Sequence, residues 1–144
     1  MDCGSKYLQI MNEILMALMI WLGANSNFNV NMDPPRIMFL PQDQMEQIYY
    51  GDREKYSELY AFYDTEQDVI VLPDTWDRRS PWDMSILLHE TIHYIQDQSN
   101  TVFACKAQME KETWPLQQKY LQEVHQFTWE YDALWHFSVS TCDY

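Results

Sequence analysis

One five-residue string constrains this chain more than any other: His89-Glu90-Thr91-Ile92-His93, set in a run that is apolar almost all the way round. At about 100° per residue, Leu87, Leu88, Thr91, Ile92, Tyr94 and Ile95 take one broad arc of a helix, while Ser85, His89, His93 and Gln96 take another. Such a helix is expected to be buried on most sides, so its polar stripe needs a partner inside the protein. Two His four apart lie about one turn apart on one face, where both imidazoles reach a single ion at the roughly 2.0–2.1 Å of a Zn–N bond. A divalent cation is the economical partner.

Glu90 follows the first His and sits beside such an ion without binding it. There it can take a proton from an activated water and later deliver it to a leaving amine, the general-base role in zinc-dependent peptide hydrolysis. Two plainer readings stand beside this one. The helix could turn its His and Glu to solvent, or it could hold a metal that is structural only.

Two imidazoles leave zinc short of ligands. The residues after His93 hold no third His at close spacing, and His125 and His136 are isolated on the last helix expected. Carboxylates there serve better. Glu123 and Glu130 are seven apart, hence on nearly the same face, and either could complete the site.

Composition narrows the partners. Against 22 Asp and Glu stand 9 Lys and Arg, a formal charge of -13, which suits neither phosphate backbones nor anionic membranes. Nucleic acid is excluded on that ground, the acidity permits a site for a cation or a positively charged partner, and a peptide or protein substrate is what the hydrolytic reading of the motif implies. Apolar residues at 47% and aromatics at 15% supply one core in 144 residues, so a single domain over 1–144 is expected. Cys3, Cys105 and Cys142 are too few for a disulfide scaffold and offer no CxxC clamp. A Cys3–Cys142 bridge is the one pairing that chain termini meeting in space would allow. The apolar run Ile14 to Leu22 is about half a membrane span and makes an unconvincing signal peptide, so no span is expected. Compartment, cytoplasmic or exported, and oligomeric state stay open.

Along the chain, Tyr7, Met11, Ile14, Leu18 and Trp21 recur at helical spacing, which predicts a helix over 5–22 ended by Gly23. Arg36 to Leu40 reads as a strand between prolines, and Gln42 to Tyr50 as a short helix stopped by Gly51. Leu59 to Tyr63 and Val69 to Leu72 read as a hairpin around the polar loop 64–68. Ser80-Pro81-Trp82-Asp83 is a strong helix start, with Ser as N-cap, and that helix should run to about Asp97. Pro115 looks like the first residue of a long last helix whose stripe is Leu116, Tyr120, Phe127, Tyr131 and Leu134.

The run Leu87-Leu88-His89-Glu90-Thr91-Ile92-His93-Tyr94-Ile95-Gln96, followed by Glu130-Tyr131-Asp132-Ala133, resembles the small bacterial HExxH proteins of gluzincin type. The pair Ala61-Phe62-Tyr63-Asp64 and Val69-Ile70-Val71-Leu72-Pro73 also resembles the strands before their metal helix, so the likeness extends from about Pro35 to Phe137. It implies an α+β class and a minimal zincin-like fold: N-terminal helix, small twisted sheet with a hairpin, HExxH helix and long C-terminal helix. It implies Zn2+ held by His89, His93 and Glu130, with Glu90 as base and Ala133 as the small residue at a helix approach. One departure is Leu134, where many gluzincins carry an Asp four residues after the ligand Glu. Asp132 faces elsewhere on an ideal helix, so a support for His89 is not evident.

The function expected is therefore a zinc-dependent peptidase in which Glu90 activates a metal-bound water. The alternatives are a catalytically silent zinc-binding or partner-binding module of zincin fold, and a metal-free helical partner-binding protein using its Met and aromatic residues. An extended substrate would pair with a sheet edge, and Tyr131, His136 or Tyr63 could donate to an oxyanion. With roughly 50 residues after His93 in the 144-residue chain, the cleft should be shallow.

Overall fold

The computed structural model describes residues 3–142. Among these are five α-helices and a three-stranded sheet, a mixed α/β chain. It divides into two compact units, Met1–Trp76 and Asp77–Tyr144.

The first unit opens with α1 (Cys3–Asn25). Met11, Leu15, Leu18, Met19 and Leu22 are its buried face, at the spacing of one helical stripe. The helix does not stop at Gly23. It runs two residues further, and a Cβ at Gly23 would come within 2.8 Å of Val30 Cγ2, so the glycine admits a close approach and does not end the helix. The stretch Gly4–Asn25 is also long and apolar enough, by length and composition, to cross a membrane, with a mean hydropathy of 1.4 over its best window. It is therefore longer than the run Ile14 to Leu22 suggested.

Strand β1 (Arg36–Leu40) leads into α2 (Gln42–Tyr50), then β2 (Phe62–Asp64) and β3 (Val69–Pro73). The sheet order is β1-β3-β2, with β1 parallel to β3 from Arg36↔Val69 to Leu40↔Pro73, and β2 antiparallel to β3 from Phe62↔Val71 to Asp64↔Val69. The continuous apolar run Val69 to Leu72 suits this central, wholly buried place. Asp64 opens the hairpin turn by accepting the backbone N–H groups of Glu66 and Gln67 at 2.9 and 3.3 Å. Met45 of α2 packs with Val69 and Val71, and Leu40, Leu59 and Phe62 close around them.

The second unit is helical. Helix α3 (Pro81–Gln98) starts as the sequence indicates, with Ser80 Oγ accepting the Asp83 N–H at 3.2 Å and Pro81 at the first position. A short 3-10 turn (Lys106–Met109) runs into α4 (Glu110–His125), and α5 (Ala133–Ser140) ends the unit. The long last helix expected from Pro115 is thus two helices. The first begins five residues before Pro115, which sits inside it and forgoes a single backbone hydrogen bond. It ends where Gln126 turns left-handed (φ 52°), with the Gln126 and Phe127 N–H groups donating to Gln122 and Leu121 carbonyls at 3.1 and 2.9 Å. The intended stripe breaks there, and Phe127 and Leu134 are exposed.

Cys142, for which the sequence left open a bridge to Cys3 beside the plainer reading of free thiols, is bonded to Cys105. The side chain of Cys3 lies outside the described residues.

Candidate metal centre

Helix α3 is buried nearly all round, as its apolar circumference requires: Ser85 to Leu88, Glu90 to Ile95 and Gln96 are all buried. Helix α4 packs against it. On α4, Glu110, Thr113, Gln117 and Leu121 recur at helical spacing, so one stripe carries polar groups to α3 near its start and an apolar anchor near its end.

That packing brings three acceptors to one point. His89 Nε2 and His93 Nε2 are 3.1 Å apart, His93 Nε2 is 2.8 Å from Glu110 Oε1, and His89 Nε2 is 3.2 Å from Glu110 Oε2. Tetrahedral ligands about 2.0–2.1 Å from zinc stand roughly 3.3 Å from one another, so the three atoms are within a few tenths of an ångström of that set.

Hydrogen bonds behind the rings decide which nitrogens face inward. Gln96 Nε2 lies 3.1 Å from the Met109 carbonyl and 3.0 Å from Glu112 Oε1, two acceptors, which fixes it as the NH2 end. Its Oε1 therefore faces His93 Nδ1 at 2.8 Å, and Nδ1 must carry the proton. Behind the other ring, Ser85 Oγ donates to the Trp82 carbonyl at 2.7 Å and accepts from Gln117 Nε2 at 3.1 Å. Gln117 Oε1 consequently takes the His89 Nδ1 proton at 2.8 Å. Both neutral rings are left with Nε2 lone pairs aimed at each other and at a carboxylate. Such a cluster needs a proton or a cation at its centre.

With a proton there, the electrostatics are those of an ion pair. Burial would pull the His89 imidazolium down, but the hydrogen bond and charge of Glu110, with Glu90 adding to them, push it up to about 9. Burial would likewise raise the Glu110 carboxyl, yet the hydrogen bonds and charges of His89 and His93 hold it well below the usual carboxylate range. Trp114 Nε1 donates to Glu110 Oε2 at 2.9 Å, and His136 Nε2 donates to the Glu110 carbonyl at 3.0 Å. The Glu110 side chain is one-quarter exposed, so the cluster is reachable from solvent.

Over residues 8–141 the chain matches a family described as a domain of unknown function, DUF6647. It belongs to that family. No curated protein and no solved structure matches it.

In this DUF6647 chain the sequence-based set of His89, His93 and Glu130 is brought together only in part. The two His converge, and among the described residues the carboxylate that joins them is Glu110. Glu130 is exposed in the segment between α4 and α5, where it lines a hollow of about 340 Å³ with Lys119 and Glu123. Glu123 is exposed on α4 and pairs with Lys119 at 3.8 Å. The physical reason is the helix end at Gln126, which removes Glu130 from the face that Glu123 was taken to share. Glu90 is buried on α3 beside His89. Ala133 is exposed in the first turn of α5, and Asp132 caps that helix by accepting the Trp135 N–H at 2.8 Å.

Among the oxyanion candidates, His136 is engaged by the Glu110 carbonyl, and Tyr131 packs edge-on to Trp114 and His136 at 5.2 and 5.1 Å. Tyr63 donates to Asp68 Oδ1 at 3.0 Å within the hairpin. Sequence reasoning missed Glu110 and Gln117, and it put Gln96 on the polar stripe with the two His without assigning it a role. The signal for the first two was the seven-residue spacing of Glu110 and Gln117 itself, hidden because Pro115 was read as the helix start.

Proposed function

We propose that this chain is a zinc-dependent peptidase of minimal zincin type, with His89, His93 and Glu110 as ligands and Glu90 as general base. One observation carries the reading: two Nε2 lone pairs and a carboxylate converge while both Nδ1 protons are already committed to Gln117 and Gln96. The donor set, two imidazoles and one carboxylate with a side open to solvent, is that of a catalytic zinc site and not of a closed structural one. A carboxylate supplied by the helix after the HExxH helix also agrees with the gluzincin likeness, with Glu110 in the place given to Glu130.

Zinc held there would supply a Lewis acid for a peptide carbonyl and a water acidic enough to attack near neutral pH. The chain's own residues do the rest. Glu90, buried and adjacent to His89, is placed to hold the proton taken from water and pass it to the departing amine. Gln117 and Gln96 keep the rings in the tautomer that leaves Nε2 free.

The test couples metal content to proton transfer. Purified protein should carry one zinc per chain, and Glu90→Gln should keep the zinc while losing about 10²–10⁴-fold of any chelator-sensitive peptide cleavage. Stoichiometric zinc with no cleavage across broad peptide libraries would leave a metal-binding module without catalysis. Absence of zinc would sink the reading altogether.

A further inference from the structure

Helix α5 is held against α4 by very little of its own. It has eight residues, well under the roughly 12–15 that an isolated helix needs in water. Ser140 is its one buried residue, while Leu134, Trp135 and Phe137 are exposed. What α5 contributes is His136, stacked on Trp114 at 4.9 Å with 24° between the planes, its Nε2 donating to the Glu110 carbonyl. Trp114 in turn donates to Glu110 Oε2. Glu110 is thus held at its backbone by His136 of α5, and at its carboxylate by Trp114 of α4, on which His136 stacks.

The covalent tie sits at the ends of these same elements. Cys105 precedes the 3-10 turn that leads into Glu110, and Cys142 follows α5. Glu110 lies five positions after Cys105, and Cys142 lies six positions after His136. The bond therefore closes a ring through Glu110, His136 and the two segments that carry them.

We propose that the Cys105–Cys142 disulfide governs the metal centre: oxidised, it keeps His136 on the Glu110 carbonyl and so fixes the third ligand, and reduced, it releases α5 and weakens metal binding. The proposal rests on the metal reading above. The chemical step is a thiol–disulfide exchange with a dithiol reductant. The S–S bond takes up two electrons and two protons and breaks to the Cys105 and Cys142 thiols, while the dithiol becomes a disulfide. His136 acts here as a positioning residue, since its imidazole reaches the ligand's backbone and not the metal.

The experiment measures zinc affinity of the full chain by competition with a chromophoric chelator. Oxidised wild type is compared with the Cys105→Ser/Cys142→Ser double variant, which introduces no new thiolate ligand. Loss of the disulfide should weaken zinc binding about 10–100-fold, the range for groups that orient a metal ligand. His136→Ala with the disulfide intact should weaken it in the same range, and His136→Gln, which keeps a donor, should recover part. Added to the double Ser variant, His136→Ala should change affinity less than about twofold, because that contact is already lost. The cobalt-substituted protein should show the same loss as a change in its visible absorption.

A double Ser variant that binds zinc as tightly as wild type overturns the proposal. So does a His136→Ala effect of equal size with and without the disulfide. Should the Ser variants not fold, wild type reduced by a water-soluble phosphine, itself converted to the phosphine oxide, and then alkylated at its thiols so that no thiolate can bind zinc, gives the same comparison. If oxidised wild type binds no zinc, the metal reading falls and this proposal with it, whereas tight binding indifferent to the disulfide removes the coupling alone.

Discussion

The Nε2 atoms of His89 and His93 face each other at 3.1 Å, and each ring has its Nδ1 proton engaged by a glutamine oxygen. Two lone pairs so placed repel, and Glu110 adds a negative charge between them. Only two arrangements relieve this: one ring becomes an imidazolium, or a cation sits among the three groups. Proton and metal therefore compete for one place.

That competition sets a pH dependence with a definite sign. Without metal, the Glu110 carboxylate holds the His89 imidazolium up to about 9, so at pH 7 His89 carries a proton on Nε2 as well as on Nδ1. Zinc must displace the Nε2 proton. Calorimetry at pH 7 in buffers of different ionisation heat should give about one proton released per zinc, and apparent affinity should rise with pH and level off above about 9. The metal-free fold behaves oppositely. Because His89 is raised above its unfolded value of 6.5, its stabilisation is complete below that pH and is lost as pH climbs through about 9. Glu110 is lowered, so its share is present above 4.5 and is lost as pH falls. The rise in Tm on adding zinc should hence grow between pH 6.5 and 9. Zinc binding with no proton release would contradict the arrangement.

Glu110 is the proposed ligand that separates the structure from the sequence-based expectation. Glu110→Ala should reduce zinc affinity by more than the about 100-fold that loss of an orienting group causes. Glu123→Ala and Glu130→Ala, both at exposed carboxylates, should leave it within about threefold, as surface changes away from special features do. Metal content after dialysis of the three variants discriminates. Retained zinc in Glu110→Ala would place the third ligand elsewhere.

The elements that local chemistry specifies were legible. Ser80-Pro81 starts α3, the Pro-bounded run Arg36 to Leu40 is β1 and Gly51 follows α2, while the hairpin forms with its first strand at Phe62–Asp64 and not over Leu59 to Tyr63. The His pair was legible because four-residue spacing on a helix needs no tertiary knowledge. The approach of Glu110 to that pair was not, since it depends on where a second helix begins and ends. Pro115 favoured a start that put Glu110 outside the helix, and nothing in the Gln-Phe-Thr-Trp stretch from Gln126 announces a stop. The stop relies on a non-glycine residue in left-handed conformation, which a sequence pattern does not encode. The Cys105–Cys142 pairing likewise follows from α5 folding back, a long-range fact.

That left-handed residue gives a stability test. Gln126 has φ 52° and ψ 34°, a region costing a side-chain-bearing residue roughly 1 kcal/mol or more. Gln126→Gly removes the steric cost but enlarges the unfolded ensemble, so the net gain should be about 0.5–1 kcal/mol. Gln126 Nε2 is 3.3 Å from the Glu123 carbonyl in an exposed setting, so losing that bond subtracts little. Urea denaturation should show a higher midpoint at unchanged slope. A lower midpoint would mean that the side chain contributes more than its backbone costs.

Gln117 offers the sharpest separation of metal binding from folding. It is 2% exposed and bridges Ser85 to His89, so Gln117→Leu keeps approximate volume while leaving the buried His89 Nδ1 proton without its acceptor, Ser85 still donating to the Trp82 carbonyl. Leaving such a buried group unpaired should cost about 1–3 kcal/mol of stability without metal. It should also weaken zinc binding about 10–100-fold, because His89 loses the acceptor that fixes its tautomer. Gln117→Glu behaves differently. Its carboxylate still accepts the Nδ1 proton and makes the ring a stronger donor to a cation, so zinc affinity should equal or exceed that of wild type even where metal-free stability falls. If both variants lost affinity in proportion to stability alone, the glutamine would be packing and not orienting the ligand.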